Sequence, residues 1–243
     1  MLHALTLVAV ADTKVSETIS SLRKSSKSIN FKEIILLTSK NIERGEIFEG
    51  LKILKINPLR SAKNYNHFII YELFKYINTS HLLLIQWDGF ILNPNKWNQS
   101  FLDYDYIGAP FIPRANDINY SRDKQGNFFS IGNGGFTLRS RKLLEAPTKF
   151  NLKDNFKYTN HHEDGFFCVY HRSFLESKGF KWAPFNLAKN FSFESIISIN
   201  DIIDLPLGFH GRKILKINKL ILLVNYVYNL MIRLMKKMKF LNS

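Results

Sequence analysis

Four short apolar runs constrain the fold of this chain more than any other feature. They span residues 3–11, 33–38, 51–56 and 81–86. Runs that are apolar at nearly every position, with helical segments between them, are typical of parallel strands buried on both faces. Residues 13–25 and 63–77 are the predicted intervening helices. The pattern predicts an α/β fold with a mostly parallel central sheet flanked by helices, Rossmann-like in its N-terminal half.

The carboxyl ends of two predicted strands indicate where a ligand would bind, since open parallel sheets bind ligands at that edge. This rule selects Val10–Thr13 after the first strand and Gln86–Gly89 after the fourth. Asp88 could hold a divalent cation that in turn holds a diphosphate, because Mg²⁺ and Mn²⁺ favour carboxylate and phosphate oxygens. Capping of the turn before Gly89 is an alternative explanation of this aspartate.

Two glycines and one histidine are further candidates. Gly134 and Gly135 lie in a strand-like run, where they would allow close approach of a ligand or form a β-bulge. His210 stands between small residues and could contact a metal ion or a phosphate. Neither pattern, taken in isolation, is specific for a binding site.

Adjacent carboxylates at Glu163 and Asp164 precede an apolar segment that is predicted to be helical from about residue 165 to 178. Mutual repulsion and burial would tend to raise the pKa of one of them. A carboxylate at a helix start that faces a cleft is a plausible general base. The alternative is that Asp164 simply caps the helix.

The charge of the chain is concentrated near its C-terminus. The 243 residues include 34 Lys and Arg against 20 Asp and Glu, a formal net charge of +14. Eight of the cations follow Asp204, the last acidic residue, so the rest of the chain has a net charge of only +6. A nucleic-acid-binding protein would spread its cations over one face with interleaved aromatic residues. No specific nucleic-acid partner is therefore expected. The single cysteine, Cys168, excludes an internal disulfide framework and a multi-cysteine zinc site.

Residues 212–240 have apolar positions three and four apart and flanking lysines, which predicts an amphipathic helix. The apolar stretch 220–232 is shorter than the ~20 residues that a bilayer requires. We expect an in-plane anchor on an anionic membrane surface. The alternative is a terminal helix packed on the body with its charges solvated. No signal peptide is recognisable, so a cytoplasmic location is expected, with peripheral attachment to the inner face of the cytoplasmic membrane.

Four motifs in this order, QWDGF (86–90), IGNGGFTLRSRKLL (131–144), HHEDGFF (161–167) and PLGFHG (206–211), resemble an uncharacterised family of glycosyltransferase-like proteins from bacteria and fungi. That family has the GT-A nucleotide-sugar transferase fold. The resemblance covers about residues 3–211 and is supported by three shorter segments. These segments are Tyr65-Asn66, Tyr104–Pro110 and Phe191–Glu194. It implies a GT-A-like domain over residues 1–211 and a basic amphipathic tail over residues 212–243.

The resemblance also implies a role for each candidate residue. Asp88 and His210 match the metal site of GT-A enzymes, although only one carboxylate stands where an Asp-x-Asp is usual. Asp164 matches the base that deprotonates the acceptor hydroxyl in inverting enzymes, with Glu163 as the second choice or as a contact of the acceptor sugar. The residues implied for the nucleotide and the donor sugar are Val10, Ala11, Asp12, Gln86, Asp88, Asn133, Gly134 and Gly135.

The implied function is transfer of a sugar from a nucleotide sugar, with UDP as the expected nucleotide, to a glycan or a lipid-linked acceptor. Mn²⁺ or Mg²⁺ is the implied cofactor, and inverting chemistry in bacterial surface polysaccharide synthesis is the implied setting. A non-catalytic module of the same fold that binds a nucleotide or a glycan is the alternative hypothesis. The lone carboxylate of Gln86-Trp87-Asp88 keeps that alternative open.

Overall fold

The computed structural model describes residues 2–111, 121–123, 125–154, 162–196 and 199–241. The first histidine of the HHEDGFF motif, His161, lies outside these residues. Residues 86–88, 133–135, 163–164 and 210–211 of the motifs all lie within the described residues.

The central sheet has six strands, and its parallel part confirms the fold predicted from the apolar runs. Strands β1 (Leu2–Val10), β2 (Phe31–Thr38), β3 (Leu51–Lys55) and β4 (His81–Ile85) are parallel, in the order β3-β2-β1-β4. Strand β7 (Phe136–Ser140) pairs antiparallel with β4, and β6 (Tyr106–Ile107) forms the edge beside β7. Every residue of β4 is buried, as its near-continuous apolar sequence requires.

A second, three-stranded sheet lies beyond the carboxyl end of β4. It contains β5 (Gly89–Ile91), β8 (Ser192–Phe193) and β9 (Gly208–His210), in the order β5-β9-β8. Phe90, Phe193 and Phe209 form the centre of its own small core. This sheet carries the chain segments of Asp88 and His210 to the same edge of the large sheet, because β5 and β9 pair residue for residue from Gly89 and His210.

The helices flank the large sheet and agree with the predicted positions in most cases. The α-helices are α1 (Val15–Ser28), α2 (Ala62–Tyr71), α3 (Arg141–Lys149), α4 (Glu163–Gly165), α5 (Arg172–Ser177), α6 (Phe185–Phe191), α7 (Asn200–Ile203) and α8 (Arg212–Leu241). The 3₁₀ turns are Arg44–Glu46, Leu73–Tyr76, Pro94–Lys96 and Gln99–Asp103. A single helix predicted over 63–77 is thus α2 followed by a separate 3₁₀ turn.

A second local prediction also differs from the structure. The helix predicted over 165–178 is interrupted, since a π-helical segment, Phe166–Tyr170, separates α4 from α5. Four consecutive side chains, Phe166–Val169, are buried there, which is more than one face of an amphipathic α-helix accommodates.

The C-terminal helix α8 is confirmed as a continuous helix of 30 residues. Ile214 and Ile221 are buried in the small core, so its first turns pack on the body. By length and composition, the part Arg212–Met238 is apolar enough to cross a membrane, which the expectation based on residues 220–232 did not allow for. The domain boundary at residues 211 and 212 stays a prediction.

Candidate active site

A cleft of about 710 Å³ opens at the carboxyl ends of β1 and β4. Ten of the eleven residues predicted for the site line it. They are Val10, Ala11, Asp12, Gln86, Asn133, Gly134, Gly135, Glu163, Asp164 and His210. The eleventh, Asp88, lies behind this lining, and its Oδ1 is 3.3 Å from Nε2 of His210. The structure therefore brings together residues that are up to 200 positions apart in the sequence.

Asp12 directly follows β1 and its carboxylate is fully engaged with the protein. Oδ1 accepts hydrogen bonds from the Thr38 hydroxyl and the Ser39 amide, and Oδ2 accepts from the Ser39 hydroxyl and the Leu59 amide. Burial by itself would raise the pKa of Asp12, but these hydrogen bonds outweigh it and lower the pKa. The contact with Leu59 fixes the loop that carries Arg60 to the cleft wall. Asp12 thus shapes this end of the cleft by holding the loop.

Gln86 directly follows strand β4 and lines the cleft. Its backbone amide donates to the Gly135 carbonyl, and its Nε2 lies 3.2 Å from the buried Tyr65 hydroxyl. Its Oε1 lies 3.2 Å from Nε2 of His210. Burial and the charge of Glu163 raise the pKa of Tyr65 above its usual range, so this phenol stays neutral.

His210 lies between two carboxylates. Its Nδ1 is 3.0 Å from Oε1 of Glu194, and its Nε2 is 3.3 Å from Oδ1 of Asp88. Burial alone would lower the pKa of His210, but the hydrogen bonds and charges of Asp88 and Glu194 raise it to about 9. The two carboxylates therefore favour protonation of the ring, and a cation would have to replace the Nε2 proton.

The donor atoms at this point fit a divalent cation in part. Oδ1 of Asp88 is buried and faces Nε2 of His210 at 3.3 Å, and the same nitrogen lies 3.2 Å from Oε1 of Gln86. Mn²⁺ accepts carboxylate, amide and imidazole ligands, and its remaining positions are commonly filled by phosphate oxygens and water. Within the described residues, no group of three or more His, Cys, Asp or Glu is arranged to hold a metal ion. A cation here would consequently need ligand atoms from Gln86 and from a bound phosphate or water, as well as from Asp88 and His210.

Gly134 and Gly135 are required by two close side-chain approaches. A Cβ at Gly135 would stand 2.1 Å from Nε2 of His210, and a Cβ at Gly134 would stand 1.9 Å from Oε1 of Glu163. The preceding Asn133 is buried with a positive φ of 59°, a conformation that asparagine tolerates better than most residues. Because Gly134 and Gly135 lack side chains, the backbone of the cleft wall can contact Glu163 and His210 directly.

Glu163 and Asp164 form helix α4, and their environments differ. Glu163 is paired with the fully buried Arg139 through Oε1 and Nη2, 2.7 Å apart, and its backbone amide donates to the Asn66 side chain. Asp164 accepts a hydrogen bond from the Gly165 amide. Burial and the adjacent charge of Glu163 raise the pKa of Asp164 to about 6. The pair thus consists of one carboxylate held in an ion pair and one whose proton affinity is raised toward neutral pH.

Sequence reasoning assigned no role to several residues of this cleft. Arg139 stands in the IGNGGFTLRSRKLL motif and Glu194 in the Phe191–Glu194 segment, so both belonged to the resemblance without a function. Arg60 and Arg212 also line the cleft, and the Arg212 guanidinium lies 5.2 Å from the centre of the Trp87 ring. A charged residue inside a strand-like run was the available signal for Arg139.

Solved structures of the galactosyltransferase LgtC resemble this chain in fold. An active-site variant of LgtC superposes with a TM-score of 0.50 and 13% identity, covering 85% of this chain and 88% of that chain. The galactosyltransferase LgtC in complex with donor and acceptor sugar analogues gives a TM-score of 0.48 and 12% identity, over 84% of this chain and 86% of that chain. At this identity the likeness shows the GT-A fold alone.

Comparison with curated proteins gave no match. The family model described as "Protein of unknown function (DUF5672)" matches residues 50–210, which include every candidate site residue except those at the end of β1. This match spans about two thirds of the sequence. The chain belongs to the DUF5672 family, and its fold is that of the GT-A glycosyltransferases.

Proposed function

We propose that this protein transfers a sugar from a nucleoside-diphosphate sugar to an acceptor hydroxyl. The observation that carries the proposal is the position of Asp164 in the same cleft as His210, whose ring contacts Asp88 behind the cleft lining. A carboxylate with a raised pKa thus lines the same cleft as a histidine and an arginine that are suited to a diphosphate and its cation. GT-A folds bind their donors at this edge of the sheet, in keeping with the general rule for open α/β sheets.

Asp164 is the proposed general base. The acceptor oxygen attacks the anomeric carbon of the donor while the bond from that carbon to the diphosphate oxygen breaks, and the hydroxyl proton passes to the Asp164 carboxylate. A base is most effective when its pKa lies near the working pH, and the pKa of Asp164 is about 6. Direct displacement of this kind inverts the configuration of the anomeric carbon. Glu163 is proposed to act behind Asp164, because its carboxylate is already engaged by Arg139 through Oε1 and by the Asp164 amide through Oε2.

The diphosphate is proposed to lie toward Asp88, His210 and Arg212. Mn²⁺ or Mg²⁺, when bound by Asp88 and His210, would neutralise the charge that develops on the leaving diphosphate. Arg212 adds a fixed positive charge on the same side of the cleft. The nucleoside is proposed to contact Val10, Ala11 and the loop held by Asp12. The donor sugar is proposed to contact Asn133, Gly134 and Gly135.

Thermal-shift screening of UDP-, GDP- and CMP-sugars, with and without Mn²⁺, identifies the donor. Saturating donor at 100 times its Kd would stabilise the fold by about 2.7 kcal/mol. Release of the nucleoside diphosphate is then followed with water as acceptor, comparing the wild type with Asp164→Asn. Loss of turnover with retained donor binding supports the assignment. Donor binding without turnover by the wild type would instead identify a nucleotide-binding module, and no stabilisation by any donor would reject both.

We propose in addition that α8 attaches the protein to an anionic membrane surface. Ile214, Ile221 and Asn225 face the body, the last by hydrogen bonds to the carbonyls of Ile202 and Ile203 in α7. Twelve of the seventeen exposed large apolar side chains among the described residues belong to this helix. Leu223 and Leu234, which are 58% and 53% exposed, lie on the side away from the body. This exposed apolar face argues against a helix that is merely packed on the domain.

The distribution of cations favours a helix that lies in the membrane plane. Only thirteen residues, 220–232, separate Lys219 from Arg233, and they span about 20 Å of helix against about 30 Å of hydrocarbon. Arg233, Lys236 and Lys237 continue the polar stripe of Asn225 and Asn229 at helical spacing. Cations on that stripe would meet anionic lipid headgroups while the apolar face enters the interface.

Co-sedimentation with phosphatidylglycerol and phosphatidylcholine vesicles tests the anchor in the full chain. The wild type is expected to bind the anionic vesicles, and the double variant Leu223→Glu with Leu234→Glu to lose binding. Ile47→Glu, at an exposed apolar residue outside α8, is the control and should bind as the wild type. Wild-type protein that stays in the supernatant, or that dimerises through this face, would reject the anchor. The same proposal includes a UDP-sugar donor and a lipid-linked or glycan acceptor. It also includes a role in surface polysaccharide synthesis at the inner face of the membrane.

A further inference from the structure

Glu194 follows strand β8 directly and lines the cleft with a side chain that is 33% exposed. Strand β8 pairs in parallel with β9, with Phe193 opposite Phe209. This register places Glu194 opposite His210, one residue further along each strand. The small sheet therefore places the Glu194 carboxylate on the Nδ1 side of His210, the histidine to which the proposed function assigns cation binding.

The two ring nitrogens of His210 have different partners. Among the described residues, the partner of Nδ1 is the Glu194 carboxylate, whose Oε1 lies 3.0 Å away. Nε2 faces the cleft side, with Oε1 of Gln86 at 3.2 Å and Oδ1 of Asp88 at 3.3 Å. A carboxylate that accepts the proton of one ring nitrogen fixes the orientation of the ring and leaves the other nitrogen as the ligand atom.

The His210 ring is also restrained by the backbone of Gly135. The Cβ position of Gly135 is 2.1 Å from both Cδ2 and Nε2 of His210, so the imidazole lies directly against the glycine backbone. Packing of this kind limits translation of the ring, but it does not decide which nitrogen carries the proton. Among the described groups in contact with the ring, Glu194 is the one on the Nδ1 side.

We propose that Glu194 is a positioning residue: it holds the Nδ1 proton of His210, so that Nε2 points to Asp88 and is the ring atom offered to a divalent cation. This inference rests on the proposed function, since it concerns the cation that would accompany the donor diphosphate. Glu194 itself stays behind the histidine and touches neither the cation nor the donor.

Mn²⁺ affinity, measured by electron paramagnetic resonance of the free ion, tests the proposal in the full-length protein. Glu194→Ala removes the acceptor for the Nδ1 proton and is expected to weaken Mn²⁺ binding about 10- to 100-fold. Glu194→Gln retains an oxygen acceptor and is expected to lose less. Glu43→Gln, at an exposed carboxylate outside the cleft, is the matched control with wild-type affinity. Thermal unfolding of each variant shows that the fold is retained.

The tautomer of His210 gives a readout that a purely structural role would not change. In the Mg²⁺-loaded wild type, ¹⁵N spectra of labelled histidine are expected to show Nδ1 protonated and Nε2 unprotonated. Glu194→Ala should shift the ring toward the opposite tautomer. Wild-type Mn²⁺ affinity in a folded Glu194→Ala protein, a protonated Nε2 in the Mg²⁺-loaded wild type, or absence of Mn²⁺ binding by the wild type would each overturn the inference. Donor turnover by the wild type, measured separately, decides the proposed function independently of these outcomes.

Discussion

The Arg139 guanidinium and the Glu163 carboxylate form an ion pair with 2.7 Å between Nη2 and Oε1, and both side chains are buried. The rings of Tyr106 and Phe167 lie within 5.1 and 5.6 Å of the guanidinium carbon. This pair keeps a negative charge beside Asp164 in an environment that contains little water. It is the physical reason why the two adjacent carboxylates of the HHEDGFF motif have different environments.

Removal of the arginine should be costly to stability. Arg139→Met leaves Glu163 buried without its partner, and breaking a buried pair in this way costs about 3–5 kcal/mol. The free energy of unfolding in urea measures the loss. Arg141→Met is the control, because Arg141 pairs with Glu145 on the exposed surface of α3, where such pairs contribute about 0.3–0.5 kcal/mol. Equal losses in the two variants would contradict the importance of the buried pair.

Turnover should depend on the ionisation of Asp164. A base must be unprotonated to accept the hydroxyl proton, and the pKa of Asp164 is about 6. Nucleotide-sugar hydrolysis is therefore expected to have a kcat/KM that is constant above about pH 7 and that falls tenfold per pH unit well below 6. In Asp164→Asn this acidic limb should disappear together with most of the turnover. A wild-type profile that is flat from pH 5 to 8 would remove Asp164 from the mechanism.

Asp164 should also lower the stability of the folded protein at neutral pH. The pKa of Asp164 is raised in the folded protein from an ordinary value of ~3.9, so the folded state holds this proton more tightly than the unfolded chain does. The stabilisation from the neutral carboxyl is complete below ~3.9 and is lost as the pH rises through about 6. Asp164→Asn should consequently be more stable than the wild type at pH 7.5, on the order of 2 kcal/mol, and equally stable near pH 4. Chemical denaturation at the two pH values measures both differences.

The glycine against the histidine ring should be intolerant of a methyl group. Gly135→Ala would drive a Cβ into the ring of His210, which two carboxylates hold in place. Donor binding measured by calorimetry with Mn²⁺ is expected to weaken at least tenfold, with a smaller loss of thermal stability. Gly45→Ala is the matched control, since nothing lies within 4 Å of its Cβ position. Unchanged donor affinity in Gly135→Ala would show that the ring moves without consequence.

Local sequence patterns were sufficient to predict the parallel strands, the helices between them and the C-terminal helix. The apolar runs at 33–38 and 81–86 could be recognised because a strand buried on both faces has almost no polar position. The turns at Val10–Asp12 and Gln86–Asp88 followed from the rule for the carboxyl edge of such a sheet. The small sheet could not be predicted in this way, because strands of two or three residues carry too little pattern.

The sequence by itself determined the class of fold, the set of candidate residues and the separation of charge between the body and residues 212–243. The tertiary structure alone decided which of those residues meet, and with what partners. Pairing of β8 with β9 brought Glu194 behind His210, and folding of β7 against β4 placed Arg139 beneath Glu163. These contacts join residues 16 and 24 positions apart through strand pairing and burial, and no local pattern encodes them. Burial then fixed the electrostatics, because the pKa of a carboxylate or an imidazole depends on the water and charges around it.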